Sequence, residues 1–353
     1  MGEMRTRLHS DIAETLKREI LAGKFDADGR LPSEDALARR FSVSRTTVSR
    51  VMLDLRTAGL IITRSGTPAR LSRFAKNATG IIGIVNPGES SGPVLSDVCR
   101  HMAALAEKAG WRVDCRVLKT ERPSDHAVEM LEIAKDFSSR CVSGVLLQPL
   151  EFQNDSVRAN NNVFVQFERG GMSVVLLDYD YFPPPRRSKY DLVSVDNIAA
   201  AQIVTNRLIE KGARRLAFLM PPHAPSSVVE RMQGVACAAL QAGLPWAHAK
   251  QVMVADPGNR KAVMSCMRAS GCDAVVCAND VMALRLKDML DSTHCAPRPL
   301  LGAFDGLEAA RRAGIVTLHQ PCKDLACIAM QTMLSRIKHP KLPTRTVRLS
   351  AIS

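Results

Sequence analysis

LPSEDALARRFSVSRTTVSRVMLDLRTAGLIITRSG, residues 31–66, decides how the first part of this chain folds. Ser33 precedes an amphipathic run in which Leu37, Ala38 and Phe41 share a face, with Glu34 and Asp35 in the first turn. A serine hydroxyl accepts from the free N–H groups of a helix start, and acids complement its positive end, so a helix begins here. Ser42 and Val43 form a turn. Ser44 is a second cap, and Val48, Val51, Met52 and Leu55 are the apolar face of the next helix, which Gly59 closes. Leu60–Arg64 and Pro68–Ser72 then flank Ser65-Gly66 as a two-stranded wing. Upstream, Leu8, Ile12, Leu16 and Ile20 recur every four residues as one more helix face, stopped at Gly23.

Charge is concentrated on the same stretch. Residues 39–76 hold nine Lys or Arg against the single acid Asp54, whereas residues 1–38 hold six bases and eight acids. The formal charge of the 353-residue chain is +13, and residues 1–76 carry +6 of it. A dense positive field on a helix-turn-helix is the electrostatic footprint of a double-stranded DNA reader. In that geometry the last helix enters the major groove by its N-terminal residues, here Arg45, Thr46, Thr47 and Ser49. Arg45 is the candidate base reader, because a guanidinium can bond both major-groove acceptors of guanine. Arg39, Arg40 and Arg50 are candidate phosphate contacts, and Arg64 and the Gly66 backbone can approach the minor groove or its phosphates. Any one of these arginines could be a solvated surface residue; the pattern as a set is not explained that way.

LPSEDALARRFSVSRTTV resembles the signature of the GntR family of winged-helix regulators, over about residues 7–72, with AGLI and the wing glycine in place. Two positions depart from that pattern. Asp35 replaces a usual arginine, and Ser49 stands where a further arginine often contacts DNA. Both departures bear on the operator sequence rather than on DNA binding.

The length suggests about two domains. No apolar run of about 18 residues is present, so no membrane span is expected, and the polar N-terminus lacks the apolar core of a signal peptide. A cytoplasmic location is the expectation. Ten cysteines occur singly, with no CxxC pair and no Cys/His set at zinc spacing, so neither a disulfide framework nor a metal site is expected.

After SRFAKNAT (72–79), which reads as a linker, apolar strand candidates alternate with amphipathic helices. The strands are GIIGIVN (80–86), SGVLLQ (143–148), SVVLLD (173–178), LAFLM (216–220), VMVA (252–255), DAVVCA (273–278) and LLGAFD (300–305). The helices include 95–109, 197–211, 228–242, 281–290 and 324–337. Continuous apolar strands separated by helices indicate an α/β domain with parallel sheets covered on both faces. Ligands of such sheets bind beyond the carboxyl ends of the strands, where Asn86, Gln148, Asp178, Asn279, Asp280, Asp305 and Gln320 fall. Asp280 and Asp305 each precede a helix and are either caps or ligand contacts. Asp196 reads as a cap alone. FPPPRRS (182–188) is an extended loop, with Tyr179, Tyr181 and Phe182 close to the expected cleft.

DLVSVDNIAAAQIVTNRLIEKGARRLAFL, ERMQGVACAALQAGLP, DAVVCANDVMAL, LLGAFDG and TLHQP resemble successive landmarks of the LacI/GalR effector domain. That resemblance implies the periplasmic-binding-protein fold: two Rossmann-like lobes joined by three crossing strands. It also implies effector contacts at Arg231 (E-R-x-x-G), Asn279 (A-N-D), Asp305 (end of G-x-F-D) and Gln320 (H-Q-P), with Asp178 a weaker match because YDYFPPPRR follows it. A GntR-type reader joined to such a sensor resembles the arabinose-responsive regulators of AraR type. The expected organisation is a winged helix-turn-helix domain over 1–72, a linker over 73–79 and an effector-binding and dimerisation domain over 80–353. The expected function is a homodimeric repressor of carbohydrate-utilisation genes, without cofactor, bound to an inverted-repeat operator and released by a sugar; the alternative effectors are a nucleobase, a sugar phosphate or a protein partner.

One stretch carries an enzyme signal. Gly88-Glu89-Ser90-Ser91-Gly92 fits the G-x-S-x-G pattern of serine hydrolases. Pro87 and Pro93 bracket it, and no later histidine sits in a matching constellation: His319 adjoins Gln320 and Pro321, which the sensor reading explains. A chance match accounts for it, and no catalysis is expected.

Overall fold

The computed structural model describes residues 29–57, 60–63, 67–72, 80–86, 92–119, 122–140, 142–150, 155–293 and 298–352, with helical positions between 9 and 20 and Phe25. The 73–79 segment and Ser90 lie outside the described residues.

In the N-terminal domain, α1 spans Glu34–Phe41 and α2 spans Arg45–Thr57. Ser33 Oγ accepts from the Ala36 N–H at 3.2 Å, and Ser44 Oγ accepts from the Thr47 N–H at 3.3 Å, so both helices start on the serines that the sequence offers. Ser42, in the left-handed region at φ 54°, turns the chain between them. Strands β1 (Ile61–Ile62) and β2 (Arg70–Leu71) pair antiparallel as the wing. Leu37, Val48, Val51, Met52 and Leu55 close a core with Ile12, Leu16 and Ile20.

The large domain begins with β3 (Ile81–Asn86), α3 (Gly92–Lys108), β4 (Arg112–Val117), α4 (Pro123–Ser139), β5 (Gly144–Leu147), α5 (Ser156–Arg169), β6 (Ser173–Leu177) and β7 (Asp191–Val195). The chain then crosses into a second lobe. This lobe contains α6 (Asn197–Glu210), β8 (Leu216–Met220), α7 (Ser226–Gln241), α8 (His248–Gln251), β9 (Val252–Val254), α9 (Arg260–Ser270), β10 (Ala274–Cys277), α10 (Asp280–Asp291), β11 (Leu300–Gly302) and α11 (Glu308–Arg312). It returns through α12 (Cys322–Lys338) and β12 (Thr346–Leu349) to the first lobe. The first sheet has the order β12-β7-β6-β5-β3-β4 and the second β11-β10-β8-β9, every pairing parallel. The chain therefore passes between lobes at Asp196, near Gln320 and after Leu349. The last passage is pinned by reciprocal backbone bonds of 2.9 and 2.8 Å between His319 and Ile352.

All seven strands expected in this domain are present. β4, β7 and β12 were not anticipated. β4 and β12 are edge strands, half-exposed and rich in arginine, so they lack a continuous apolar run. β7 is fully buried but carries Asp191 and Ser194 within five residues.

Asp191 shows why a charge can sit in a central strand. Its side chain is wholly buried and accepts from Arg336 Nε and Nη2 at 3.0 and 2.8 Å, from Arg345 Nη2 at 2.9 Å, and from the Arg345 backbone N–H at 2.7 Å. Burial pushes the carboxyl pKa up, but the hydrogen bonds from the two arginines outweigh it and hold the pKa below the usual carboxylate range. A depressed pKa means stability that is present above the unfolded value and lost as pH falls through the folded one. Removing one partner from a buried charge cluster costs about 3–5 kcal/mol. Asp191→Ala should lose that much in urea unfolding at pH 7, and the gap to wild type should shrink as pH falls below about 4.

Candidate functional site

The reader presents its recognition face at the start of α2. Arg45 is 69% exposed; its Nη1 lies 3.5 Å from Asp35 Oδ1 and its Nε 3.8 Å from Glu34 Oε2. Ser49 donates to Glu34 Oε2 at 2.6 Å, and the hydroxyls of Thr46 and Thr47 each lie 2.8 Å from Ser44 Oγ. Arg39 and Arg50 are exposed and have no carboxylate partner among the described residues. Arg40 differs. Its guanidinium holds Glu19 by two bonds of 2.9 and 2.5 Å and lies over the Phe41 ring at 4.9 Å. An arginine engaged with its own domain is a poorer phosphate contact than a free one, so Arg40 acts first as a brace between α1 and the preceding helical segment. Arg64 and Gly66 lie outside the described residues.

In the large domain, the space between the lobes is an open cleft of about 930 Å³. Asp178, Arg231, Asn279, Asp305 and Gln320, proposed from five separated stretches of sequence, all line it. Asn86 does not; it donates to Ser96 Oγ at 3.1 Å.

Arg231, on α7, is the centre of the second-lobe wall and only 7% exposed. Its Nε donates to Asn197 Oδ1 at 2.8 Å, its Nη1 donates to the Ala278 carbonyl at 2.7 Å, and its guanidinium lies 4.8 Å from the centre of the Phe304 ring. A guanidinium has five N–H donors in a rigid fork; two are used here, and three have no partner among the described residues. Three residues on, Gly234 explains the glycine of the E-R-x-x-G run. A Cβ there would come within 2.4 Å of the Ile198 carbonyl oxygen, so only glycine lets α7 pack this tightly on α6. That approach brings Arg231 to Asn197.

The cap question is answered differently for each residue. Asn279, not Asp280, caps α10: its Oδ1 accepts from Met282 N–H at 2.8 Å. Asp280 is buried and accepts from Thr317 Oγ1 at 2.7 Å and Leu307 N–H at 2.8 Å, tying the loop after β11 to the start of α10. Asp305 is no cap of α11, which starts after Leu307 without a side-chain bond. It accepts instead from Gln320 Nε2 at 2.8 Å and from the Asp280 N–H at 3.3 Å, its backbone held at φ 148°. Burial pushes its pKa up to about 7; Arg231 opposes this and Asp280 adds to it. Asp196 does cap α6, accepting from Ala199 N–H at 3.0 Å.

Gln148, from the first lobe, is part of the site although sequence reasoning left it out of the effector set. It is 5% exposed, its Nε2 donates to Asp178 Oδ2 at 2.9 Å, and its buried Oε1 has no partner. Its position as the polar residue ending β5 was the available signal. Asp178 also accepts from Ser227 Oγ at 3.3 Å and is itself left-handed, at φ 70°. A non-glycine residue in that region costs of order 1–3 kcal/mol, which the surrounding structure must override; such strain gathers at ligand sites. Among the described residues, the rest of the lining is mainly aliphatic (Val94, Leu95, Val98, Leu177, Val228, Val281 and Leu325 among them), with Ser194 beside them, and holds no aromatic ring. Tyr179 and Phe182 border a neighbouring recess under the 182–188 loop instead.

A winged helix-turn-helix with a basic face, joined in one chain to two lobes around a polar cleft, defines a ligand-responsive DNA-binding regulator. Comparison with known proteins agrees. Residues 8–71 match the model of the bacterial regulatory proteins of the gntR family, and residues 205–353 match that of the periplasmic binding protein-like domain. The chain is a transcriptional regulator of the kind that joins a GntR-family reader to a periplasmic-binding-protein-like sensor. It is 25% identical to an uncharacterised HTH-type transcriptional regulator from the aml 5′ region of Streptomyces limosus, covering 89% of this chain and 90% of that protein. It is 24% identical to the ribose operon repressor of Escherichia coli strain K12, covering 90% and 96%. The solved structure of a complex of the regulator CelR with cellobiose shares the fold, with a TM-score of 0.62 at 18% identity over 91% of this chain and 98% of that one.

Two outcomes follow from this geometry. Arg45→Ala should cost roughly 1–3 kcal/mol at the operator and relax sequence preference, whereas Arg50→Ala should weaken all DNA and lower the salt slope by about 1; both are read by fluorescence anisotropy over a salt series. A carboxyl with a raised folded pKa favours the fold at low pH and loses that contribution as pH rises through the folded value. Asp305→Asn should therefore flatten the decline in unfolding free energy that Asp305 imposes between about pH 4 and 7, measured by urea titration.

Proposed function

We propose that this chain is a cytoplasmic, homodimeric repressor of carbohydrate-utilisation genes. Its reader, 1–72, binds an inverted-repeat operator; the segment 73–79 connects it to the sensor, 80–353; and a free sugar closing the two lobes releases it. Two-fold symmetry in the protein matches two-fold symmetry in such an operator.

The observation that carries this reading is the cleft itself. Both lobes direct polar groups into it, and several of them keep unused capacity: three N–H groups of Arg231 and the buried Oε1 of Gln148. Sugar hydroxyls both donate and accept, and satisfy such a mixed set. Among the described residues that line the cleft, none offers a nucleobase a ring to stack on. A phosphate dianion would meet Arg231 as the single cation among the described lining residues, with Asp178 and Asp305 on the same walls. Catalysis is not part of this reading, and among the described residues no histidine, cysteine or lysine lines the cleft. The sugar effectors in the names of the ribose repressor and the CelR complex fit the same class.

Closure linked to operator release requires the operator to weaken sugar binding by the same factor that the sugar weakens operator binding. The test is a thermal-shift screen of the full chain against free pentoses, hexoses and disaccharides, then nucleosides and sugar phosphates. At 100 times its dissociation constant an effector adds about 2.7 kcal/mol, which raises the midpoint by roughly 5 °C for a protein of this size. Arg231→Ala should keep wild-type operator affinity and lose both the shift and the release from DNA. A sugar that shifts the midpoint but leaves operator affinity unchanged would refute the release mechanism.

A further inference from the structure

The recognition face of this reader carries a carboxylate where a DNA-binding surface has most reason to exclude one. Asp35 is 61% exposed in the first turn of α1, and its Oδ1 is 3.5 Å from Nη1 of Arg45, which is 69% exposed at the start of the groove-entering helix. Glu34, its neighbour, is already used: it accepts from Ser49 at 2.6 Å and stands 3.8 Å from Arg45 Nε, tying α1 to α2. Asp35 meets α2 only through that contact with Arg45. Among the described residues Arg45 is its one partner, and an ionised carboxylate has about four lone-pair positions, so most of its accepting capacity faces outward.

An outward carboxylate beside DNA has two possible surroundings. Against phosphates it is repelled, because that backbone carries one negative charge per ~1.7 Å of helix axis. Against base edges in the major groove it finds hydrogen-bond donors, but only on the exocyclic amino groups of cytosine and adenine. Asp35 Oδ1 stands 3.5 Å from Arg45 Nη1, so an Arg45 fork on a guanine draws the carboxylate into the same groove, beside the base edges that neighbour that guanine. Ser49 is bound back to Glu34 and does not compete for that position.

We propose that Asp35 is a specificity-determining residue that accepts a hydrogen bond from an amino-bearing base, cytosine or adenine, at the step beside the guanine read by Arg45. The pair then reads a donor and an acceptor on neighbouring bases: Arg45 supplies the attraction to DNA, and Asp35 penalises sites that lack the amino group. An unpaired carboxylate opposite a carbonyl or a thymine methyl loses its solvation without compensation, so the discrimination is against wrong sites more than for the right one.

The test is selection of binding sites from a randomised duplex library by the purified full-length protein at one fixed salt concentration. Wild type, Asp35→Ala, Asp35→Asn and Arg45→Ala are compared. The expected wild-type site has a guanine with cytosine or adenine next to it in each half, and the selected sequence itself distinguishes the two bases. Asp35→Ala should keep the guanine and lose roughly tenfold discrimination at the adjacent position, within the range typical of one mismatched pair. Asp35→Asn, which can also donate, should admit bases that wild type rejects, and Arg45→Ala should lose the guanine. Asp35 lies on the surface, so thermal melts of the variants should match wild type within a few degrees and show that each is folded. An unchanged site with uniformly tighter binding in Asp35→Ala would mean that the carboxylate only repels phosphates, and would overturn the proposal. Loss of the guanine preference in Asp35→Ala would also overturn it, assigning Asp35 to the support of Arg45 alone. If wild type enriches no sequence, the operator reading fails together with this one; an enriched operator that Asp35→Ala leaves unchanged refutes this inference alone.

Discussion

The two-lobed domain depends on one buried carboxylate. Asp191 opens β7, the strand that leads to the second lobe, and it is held by Arg336 of α12 and Arg345 at the start of β12, the two elements that bring the chain back. The outgoing and returning crossings are thus tied at one point in the first sheet. Asp191 is wholly buried and Arg336 nearly so, while Arg345 keeps 37% of its side chain exposed; buried charges cost several kcal/mol each unless geometry and remaining hydrogen bonds compensate. Here they do: Arg336 also donates to the carbonyls of Leu342 and Pro343, closing the turn that sends the chain into β12. The value of such a cluster is positional. An apolar replacement would bury as well, but would not specify which strand β12 must join or in which register.

From that frame the cleft is assembled by packing as much as by its own chemistry. Gly234 sets the distance between α6 and α7, Asn197 and the Ala278 carbonyl set the plane of Arg231, and the Phe304 ring supports it from beneath. Asp280 and Asp305 bind each other's loops rather than their own helices. This moves rigidity from local capping to contacts across the lobe. Across the gap, Gln148 and Ser227 both donate to Asp178, so a first-lobe strand end and a second-lobe helix start meet at one carboxylate. Glu230, adjacent to Arg231, reaches Arg348 of β12 at 2.7 Å, a second bond between the lobes. Movement of α7 on occupancy of the cleft would be felt at both contacts. In the proposed closure these contacts, with the 3.3 Å bond from Ser226 Oγ to the Asp180 carbonyl, are interactions that must change.

At the other end of the chain, the reader shows how far net charge can mislead about individual residues. The basic stretch is real, yet Arg40 is spent on Glu19 and Arg45 stands between two acids, while Arg39 and Arg50 keep free guanidinium groups among the described residues. Long-range attraction to DNA depends on the sum of these charges, whereas base reading depends on which are unpaired at the surface. The first is visible in composition; the second needs the partners.

Much of the architecture was legible in the chain because buried parallel strands have little freedom of composition. GIIGIVN, SVVLLD and DAVVCA can hardly be anything else, and the caps Ser33, Ser44 and Asp196 act within three residues of themselves. The edge strands β4 and β12 escaped notice because an edge is paired on one side only and tolerates arginine, and β7 because its Asp191 is neutralised by residues some 145 positions away. The site followed the same division. Residue types at strand ends, with the resemblance they carry, named Asp178, Arg231, Asn279, Asp305 and Gln320, since strand ends are where an α/β sheet offers polar groups. That these five border one cleft, that Asn279 is also a cap, that Gln148 joins them and that burial pushes the Asp305 carboxyl up are matters of tertiary structure. Each arises from contacts between segments distant in sequence and from the loss of water around them, which no local pattern encodes.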